Sequence, residues 1–417
     1  MNNEAFITLL KNEVSRIDAL KTTKRYENII EGFSKDTSKK AIIMGKEYLV
    51  FNSNDYLGLR HDKALEKSES SSARLYGSGP GAVRFISGTL RVYKELEQAI
   101  AKFHQREDGM IFSSAFAANL ATMFCLSQGL TKDSLLDSDV AFISDSLNHR
   151  SIIDGIRLTG LPKEKRAIFE HMNAISLDNV LTSFHTKVKR AVVVTDGVFS
   201  MLGEYQKLSE IKKIINKHQS KFPLGIFLVV DDCHGVGISG KTGRGVEELE
   251  NTKADVLVGT FGKAFGSDGG YVVGSSVVIN YLRESSATYI YSNSISPGTA
   301  GAALAAVKML QTEKGTQLLD KSKNNTQYFK QKIKQIGFQM AAQSDHAIQP
   351  VLIGDTAKTK QLVEYMYSNN ILITNISYPV VPIGRDEIRV QISARHKKSD
   401  IDKLIKIFKK AKTDLKL

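Results

Sequence analysis

Short apolar runs alternate with helical stretches between about residues 90 and 300. Each run is continuously apolar, which is typical of strands that are covered on both faces. This alternation predicts an α/β fold built on a mostly parallel sheet. The predicted strands are Gly109–Phe112, Val140–Ser144, Arg190–Thr195, Gly225–Asp231, Val256–Thr260 and Gly270–Val273.

The pattern differs on either side of this region. Residues 1–40 predict a polar helical arm, and a hairpin around Gly45-Lys46 follows. After Pro297 the chain predicts a separate α+β unit. Its predicted helices are Thr299–Leu310, a long amphipathic stretch that continues to about Ile336, and Thr356–Ser368. Its predicted strands are Ile348–Ile353, Ile371–Asn375 and Glu387–Ser393. A last helix begins at a capping box of Ser399 and Asp402. We therefore divide the chain into an N-terminal arm and hairpin (1–55), a large domain (56–298) and a C-terminal α+β domain (299–417).

Polar residues lie at the ends of the predicted parallel strands, where ligands bind in such sheets. Asp145, Asp196, Asp231 and Lys263 each fall at or just after a strand end, and His234 follows Asp231 closely. An amine, a carboxylate and an imidazole together suit pyridoxal phosphate (PLP), because a lysine can form a Schiff base and a carboxylate can keep the pyridine nitrogen protonated. Taken alone, a lysine after a strand is more often a solvated side chain.

Two further stretches have candidate roles in phosphate binding. Ser114, Ala115 and Phe116 follow a predicted strand and open a helical stretch, so their backbone amides suit a phosphate, although a simple N-cap explains them as well. The glycine-rich stretch Gly77–Gly81 lacks a strand before it, and we interpret it as a tight loop that leads to Val83 and Arg84.

The charge balance favours anionic partners. The 417 residues include 57 basic and 44 acidic side chains, a net charge of +13. No zinc-finger spacing or nucleic-acid recognition motif accompanies this excess, so no nucleic-acid partner is predicted. Capture of a polyanion such as coenzyme A (CoA) and solubility alone both remain open.

The same composition predicts a cytoplasmic protein. The two cysteines, Cys125 and Cys233, form no CxxC pair, so neither a metal site nor a disulfide framework is expected. We find no signal-peptide pattern and no apolar stretch long enough to span a bilayer.

Six motifs in a fixed order identify a family resemblance. They are Asn54–Leu59, Ser144–His149, Thr195–Met201, Asp231–Gly235, Thr260–Lys263 and Ile388–His396. With these motifs the chain resembles, nearly end to end, the α-oxoamine synthase family of fold-type-I PLP enzymes. The resemblance implies an acyltransferase that joins an amino acid to an acyl-CoA in a homodimer with shared active sites.

The resemblance also implies a role for each matching residue. Lys263 would hold the cofactor and move protons at Cα, Asp231 would pair with the pyridine nitrogen, and His149 would stack on the ring. His234 and Ser200 would lie at the ring hydroxyl. The other implied residues are Ser114, Ala115, Phe116 and Thr260 at the phosphate, Ser292 and Asn293 at the partner subunit's phosphate, Asn54 and Arg389 at the amino-acid carboxylate, and Val83 and Arg84 near the substrate.

The branch of the family is predicted from other stretches. Tyr378–Pro382, Gly81–Thr89 and Asn148–Gly155 resemble glycine C-acetyltransferases (2-amino-3-ketobutyrate CoA ligases), which predicts glycine and acetyl-CoA as substrates. The alternatives within the family are 8-amino-7-oxononanoate synthase, which uses alanine and a pimeloyl thioester, and serine palmitoyltransferase. A fold-type-I aminotransferase and a non-catalytic synthase subunit are alternatives of another class.

Overall fold

A central sheet of seven strands organises the molecule. The computed structural model describes residues 3–19, 25, 27–131, 133–378 and 381–417. In spatial order the strands of this sheet are Asp108–Phe112, Gly270–Gly274, Val256–Thr260, Ile226–Asp231, Arg190–Asp196, Val140–Asp145 and Arg166–Phe169. Gly270–Gly274 runs antiparallel to both of its neighbours, and the remaining pairs are parallel.

Helices cover both faces of this sheet, so its central strands are buried on both sides as their continuous apolarity predicts, whereas the edge strand Arg166–Phe169 is partly exposed. Their apolar side chains form two large buried clusters, one on each face. The α-helices before the C-terminal region are Glu4–Ala19, Lys63–Tyr76, Arg91–Phe103, Ala115–Ser127, Arg150–Leu158, Ala174–Ser183, Leu208–His218, Val246–Leu249, Ser276–Ser285 and Ala287–Ile290. Three short 3₁₀ helices accompany them, Leu59–His61, Lys163–Lys165 and Gln219–Lys221.

The C-terminal region has its own sheet and apolar core. Its strands, in order Gln339–Met340, Ile348–Leu352, Glu387–Gln391 and Thr374–Ile376, are all antiparallel. Its helices are Glu313–Gln335, Thr356–Ser368 and Lys398–Asp414, whereas helix Pro297–Leu310 packs on helices Lys63–Tyr76 and Arg91–Phe103 and belongs to the core of the central sheet. The last helix starts two residues earlier than expected: its N-cap is Lys397 with Asp400 at the third helical position, not Ser399 with Asp402. The carboxylate of Asp400 accepts the backbone N–H of Lys397 at 2.8 Å.

A third sheet joins the two ends of the chain. Gly32–Phe33, Ala41–Ile43 and Lys46–Val50 form an antiparallel meander, and Ile371–Leu372 adds to its edge in parallel. The expected single strand Ile371–Asn375 is therefore wrong, because its second part, Thr374–Ile376, pairs in the C-terminal sheet instead. The division of the chain at residues 55 and 298 stays a prediction, and this sheet crosses it.

The N-terminal arm is helical only in part. Helix Glu4–Ala19 has no buried residue, and its apolar positions Phe6 and Leu9 are each 61% exposed. Residues 1, 2, 20–24 and 26 of the expected arm lie outside the described residues. Across the described parts of the chain, no helix is long and apolar enough to cross a membrane.

Candidate active site

A cavity of about 190 Å³ opens at the carboxyl ends of the central strands. Three of its residues, Asp196, Asp231 and Thr260, each end a neighbouring strand. The sheet register places Asp196 directly beside Asp231. The full lining is Ala115, Phe116, Asn119, His149, Ser151, Asp196, Val198, Asp231, Cys233, His234, Thr260 and Lys263.

The first turn of helix Ala115–Ser127 forms one end of the cavity. The hydroxyl of Ser114 caps the helix by accepting the N–H of Ala117 at 3.1 Å. The N–H groups of Ala115 and Phe116 have no intrahelical acceptor in such a turn, so they are available to an anion. The backbone at the start of this helix lies directly against Gly270: a Cβ at residue 270 would lie 2.2 Å from the backbone nitrogen of Ala115. This cradle fits the phosphate of PLP.

The carboxylate of Asp231 is held by two hydrogen bonds in the same cavity. One carboxylate oxygen accepts the side-chain amide of Asn119 at 2.5 Å, and the other accepts the N–H of Cys233 at 3.0 Å. Asn119 also donates to Ser151 at 2.9 Å, and the Ser151 hydroxyl meets His149 Nδ1 at 2.7 Å. A continuous polar chain therefore connects Asp231 to His149.

His149 also lines the cavity. It is the N-cap of helix Arg150–Leu158, which fixes its backbone, while its ring remains accessible and faces Phe116 at a centroid distance of 6.5 Å. Partial burial of the imidazole lowers its pKa, the charge of Asp231 opposes that effect, and Lys263 adds to it. A neutral ring suits stacking on an aromatic cofactor.

His234 sits deeper and is also neutral. Burial, followed by the positive charges of Lys263 and Arg389, lowers its pKa well below the ordinary value. Its Nδ1 is hydrogen-bonded to the hydroxyl of Tyr56 at 2.8 Å. Its carbonyl oxygen accepts a hydrogen bond from the side chain of His346. Tyr56 also donates to the side-chain oxygen of Asn54 at 3.1 Å.

Lys263 lies in the turn that follows strand Val256–Thr260. The N–H of Gly266 donates to the carbonyl of Lys263 at 2.9 Å, and Ser267 donates back to Phe261 at 3.0 Å. The turn directs a half-buried lysine into the same cavity as Asp231 and His149. The cavity thus brings together an amine, a carboxylate and two neutral imidazoles, the set that the sequence predicts for PLP.

Arg389 and Ser200 meet just outside the cavity lining. The guanidinium Nε of buried Arg389 donates to the carbonyl of Ser200 at 2.6 Å. The positive charge of Arg389 contributes to the lowered pKa of His234. The side chain of Asn54 is held in place because its oxygen also accepts a hydrogen bond from the side-chain amide of Gln391 at 2.8 Å.

Eight predicted site residues do not line this cavity within one chain: Ser114, Asn54, Ser200 and Arg389, which are described above, and Val83, Arg84, Ser292 and Asn293. Arg84 is buried in an ion pair with Glu97 at 3.1 Å, and Val83 precedes it, half-buried. Ser292 and Asn293 are exposed. The roles of these residues in substrate binding and in a shared site stay predictions.

Sequence reasoning missed part of the lining. Asn119 and Ser151 lie inside helices, where a single polar residue gives no signal, and Val198 and Cys233 are flanked by stronger candidates. Asp196 had the same signal as Asp231, a carboxylate at a strand end, but was not assigned to the site. The missed residues are Asn119, Ser151, Asp196, Val198 and Cys233.

Comparison with known proteins gives concordant matches. Residues 46–408 match the family model for class I and II aminotransferases. The 8-amino-7-oxononanoate synthase of Petrotoga mobilis is 37% identical over 371 residues, which cover 88% of this chain and 89% of the relative. The enzyme of the same name from Alkaliphilus metalliredigens is 33% identical over 421 residues and is matched over 100% of both chains.

A solved structure matches the whole fold. A serine palmitoyltransferase (SPT) structure with PLP superposes with a TM-score of 0.86 at 25% identity, covering 100% of this chain and 99% of that one. This match confirms the predicted α/β fold with its mostly parallel sheet.

Proposed function

Because this chain belongs to the class I and II aminotransferases, and within them to the PLP-dependent acyltransferases of the α-oxoamine synthase family, we propose that it joins L-alanine to a pimeloyl thioester. Its cofactor is PLP. The product would be 8-amino-7-oxononanoate.

The likeness to 8-amino-7-oxononanoate synthases carries this proposal. It extends over 88–100% of the chain in the two relatives described above. The product's name defines the substrates: an amine on C8 beside a terminal methyl group is what alanine leaves after losing its carboxylate. The remaining carbons form a seven-carbon acyl unit with a distal carboxylate, which is pimeloyl.

The prediction of glycine and acetyl-CoA has less support. The stretches that favoured it include Tyr378–Pro382, of which Pro379 and Val380 lie outside the described residues. Val83, expected beside the amino-acid side chain, does not line the cavity within one chain. One methyl group separates alanine from glycine, and pockets discriminate such a difference by only about 1–3 kcal/mol. Glycine therefore remains the second candidate.

The reaction balances without any further reactant. A carbon–carbon bond forms between Cα of alanine and the acyl carbonyl carbon, and the thiol carrier leaves. The amino-acid carboxylate departs as CO₂, and Cα takes back one proton in place of the one it lost. When bound, PLP supplies an electron sink for the negative charge left at Cα.

The residues of the cavity divide this work. Lys263 would anchor the cofactor and move the proton at Cα, and the Asp231 carboxylate, which is held by two donors, would pair with the pyridine nitrogen. His149 would cover the cofactor ring, and the neutral imidazole of His234 would offer a hydrogen bond to the ring hydroxyl. Arg389 suits the amino-acid carboxylate because a guanidinium binds it with two parallel hydrogen bonds.

A grid of substrates tests the proposal. Thiol release and product mass would be measured for alanine, glycine and serine, each with acetyl-, pimeloyl- and palmitoyl-CoA. We expect the highest kcat/KM for alanine with pimeloyl-CoA, and no release from Lys263→Ala, with exposed Lys213→Ala as the matched control. A preference for glycine with acetyl-CoA, or for serine with palmitoyl-CoA, would contradict the substrates. Transfer of the amino group to a keto acid without thiol release would indicate an aminotransferase.

The cellular compartment and the acyl carrier of the enzyme are part of the same proposal. Cys125 and Cys233 are free and buried, which agrees with a reducing cytoplasm. The excess of 57 basic over 44 acidic residues agrees with capture of an anionic acyl carrier such as CoA.

A further inference from the structure

We propose that Asp196 is a positioning residue of the reaction, which acts as an uncharged acid that holds His149 over the cavity. The inference rests on the proposed roles of His149 and Asp231 and is independent of the acyl substrate. Asp196 is buried, with 4% of its surface exposed, and it lines the cavity.

Hydrogen bonds attach His149 to the end of strand Arg190–Asp196. The Asp196 carboxyl accepts the backbone N–H of His149 at 3.3 Å, and the N–H of Asp196 donates to the side chain of Asn148 at 2.8 Å. Asn148 in turn donates to the carbonyl of Val194 at 2.8 Å. The segment that carries the imidazole is therefore fixed to the sheet at three points, one of which is the Asp196 carboxyl.

The surroundings of Asp196 contain more carboxylates than cations. Asp231 lies beside it in register on the next strand, Asp145 ends the strand on the other side, and Lys263 is the amine that lines the same cavity. Two buried carboxylates at adjacent ladder positions cannot both stay charged without a large electrostatic penalty. One of the pair must carry a proton.

The hydrogen bonds decide which member of the pair is protonated. Asp231 accepts two donors, Asn119 and the N–H of Cys233. For Asp196 the described donor is the single N–H of His149. Burial, and next the charge of Asp231, raise the pKa of Asp196 well above the ordinary value, and the N–H of His149 and Lys263 oppose this rise only in part.

This assignment makes opposite predictions for two similar substitutions. An asparagine matches the shape of a protonated aspartic acid and still accepts the N–H of His149. Asp196→Asn should therefore retain function, whereas Asp231→Asn removes a charge that the cofactor needs. Asp196→Ala removes the acceptor and should release His149.

The experiment uses the PLP-loaded enzyme without a thioester, so that acyl specificity plays no part. Exchange of the alanine α-proton in D₂O would be followed across pH, and the PLP dissociation constant would be measured by equilibrium dialysis. For Asp196→Asn we expect exchange near wild type with an unchanged pH profile. For Asp196→Ala we expect weaker PLP binding and exchange slower by about 10²-fold, as for a misplaced catalytic group. For Asp231→Asn we expect a loss of about 10²–10³-fold.

Three outcomes would overturn the proposal. Exchange in Asp196→Asn as slow as in Asp231→Asn would show that Asp196 acts through its charge. Wild-type PLP binding and exchange in Asp196→Ala would show that it positions nothing. Full additivity of Asp196→Ala with His149→Ala would show that it does not act through His149. If Asp196→Ala fails to fold, Asp196→Asn decides the question alone. Absence of exchange in the wild type would instead refute the proposed function.

Discussion

At the residue scale, Glu387 is a buried acid that the proposed mechanism does not use. It lies two positions before Arg389 on strand Glu387–Gln391, is fully buried, and neither carboxyl oxygen has a hydrogen-bond partner among the described residues. Burial raises the pKa of Glu387 to about 8. The positive charges of Arg385 and Arg389 lower this pKa in part, and the negative charge of Glu204 adds to the rise. The carboxyl is therefore protonated in the folded protein at neutral pH.

This burial should make stability depend on pH. Between the ordinary value of 4.5 and about 8, the unfolded chain has lost the Glu387 proton and the folded chain has not. The free energy of unfolding therefore falls as pH rises through that window, by up to about 1.4 kcal/mol per pH unit for this one group. Glu387→Gln should flatten the slope and stabilise the protein most above pH 8, as measured by urea unfolding from pH 4 to pH 9. Exposed Glu364→Gln is the control, and an equal slope in Glu387→Gln and the wild type would contradict the argument.

The predictability of single residues depended on where they lie along the chain. Lys263, Asp231 and His234 were identified because a polar side chain stands out after a buried strand, and the structure brings them to one cavity. Asn119 could not be found in this way, because its partner Asp231 is 112 positions away and helix Ala115–Ser127 has no polar pattern. The pairing of partners distant in sequence is decided by the fold.

At the element scale, the start of helix Ala115–Ser127 depends on one glycine in the strand beneath it. Gly270→Ala would place a Cβ 2.2 Å from the nitrogen of Ala115, so the helix start must move. Crowding of this kind costs about 1–3 kcal/mol, and here we expect it to lower PLP affinity by roughly tenfold or more. The dissociation constant of PLP measures the effect.

A second glycine of the same strand provides the control. At Gly274 the added Cβ would lie 3.1 Å from the carbonyl oxygen of Asp255 and 3.9 Å from Ile279 Cδ1, away from the helix start. Gly274→Ala should keep PLP affinity even if it loses some stability. Equal losses of PLP affinity in both variants would contradict the prediction, because they would show that the affinity depends on the strand and not on the helix start.

Elements were predicted well where the apolar signal was continuous. All six predicted strands of the central sheet are present to within a residue or two, whereas the edge strand Arg166–Phe169 was missed. That strand is short and its Ile168 is 69% exposed, so it lacks the apolar run of a buried strand. The cap of the last helix was misplaced because Ser399 has the usual capping side chain and Lys397 does not.

At the scale of the whole molecule, we propose a homodimer in which each subunit completes the other's site. Ser292 and Asn293 are exposed and lie outside the cavity of their own chain, which agrees with a reach into a partner. Mixed dimers of Lys263→Ala and Asn293→Trp, each inactive alone, should recover activity because one of the two sites is intact. Each variant taken alone through the same mixing procedure is the control. Mixed dimers that stay inactive would contradict shared sites.

The third sheet imposes an order of events on the newly made chain. Lys46–Val50 hydrogen-bonds to Ile371–Leu372, and the N–H of Gln391 donates to the carbonyl of Phe51. The N-terminal hairpin therefore leaves the ribosome long before its partner strand is synthesised, and its edge stays open throughout elongation. An unpaired strand edge is a point of aggregation. A truncated chain that stops before residue 371 can complete neither this sheet nor the contact between Asn54 and Gln391 beside the cavity, so unfinished copies of the enzyme should bind chaperones and have no activity.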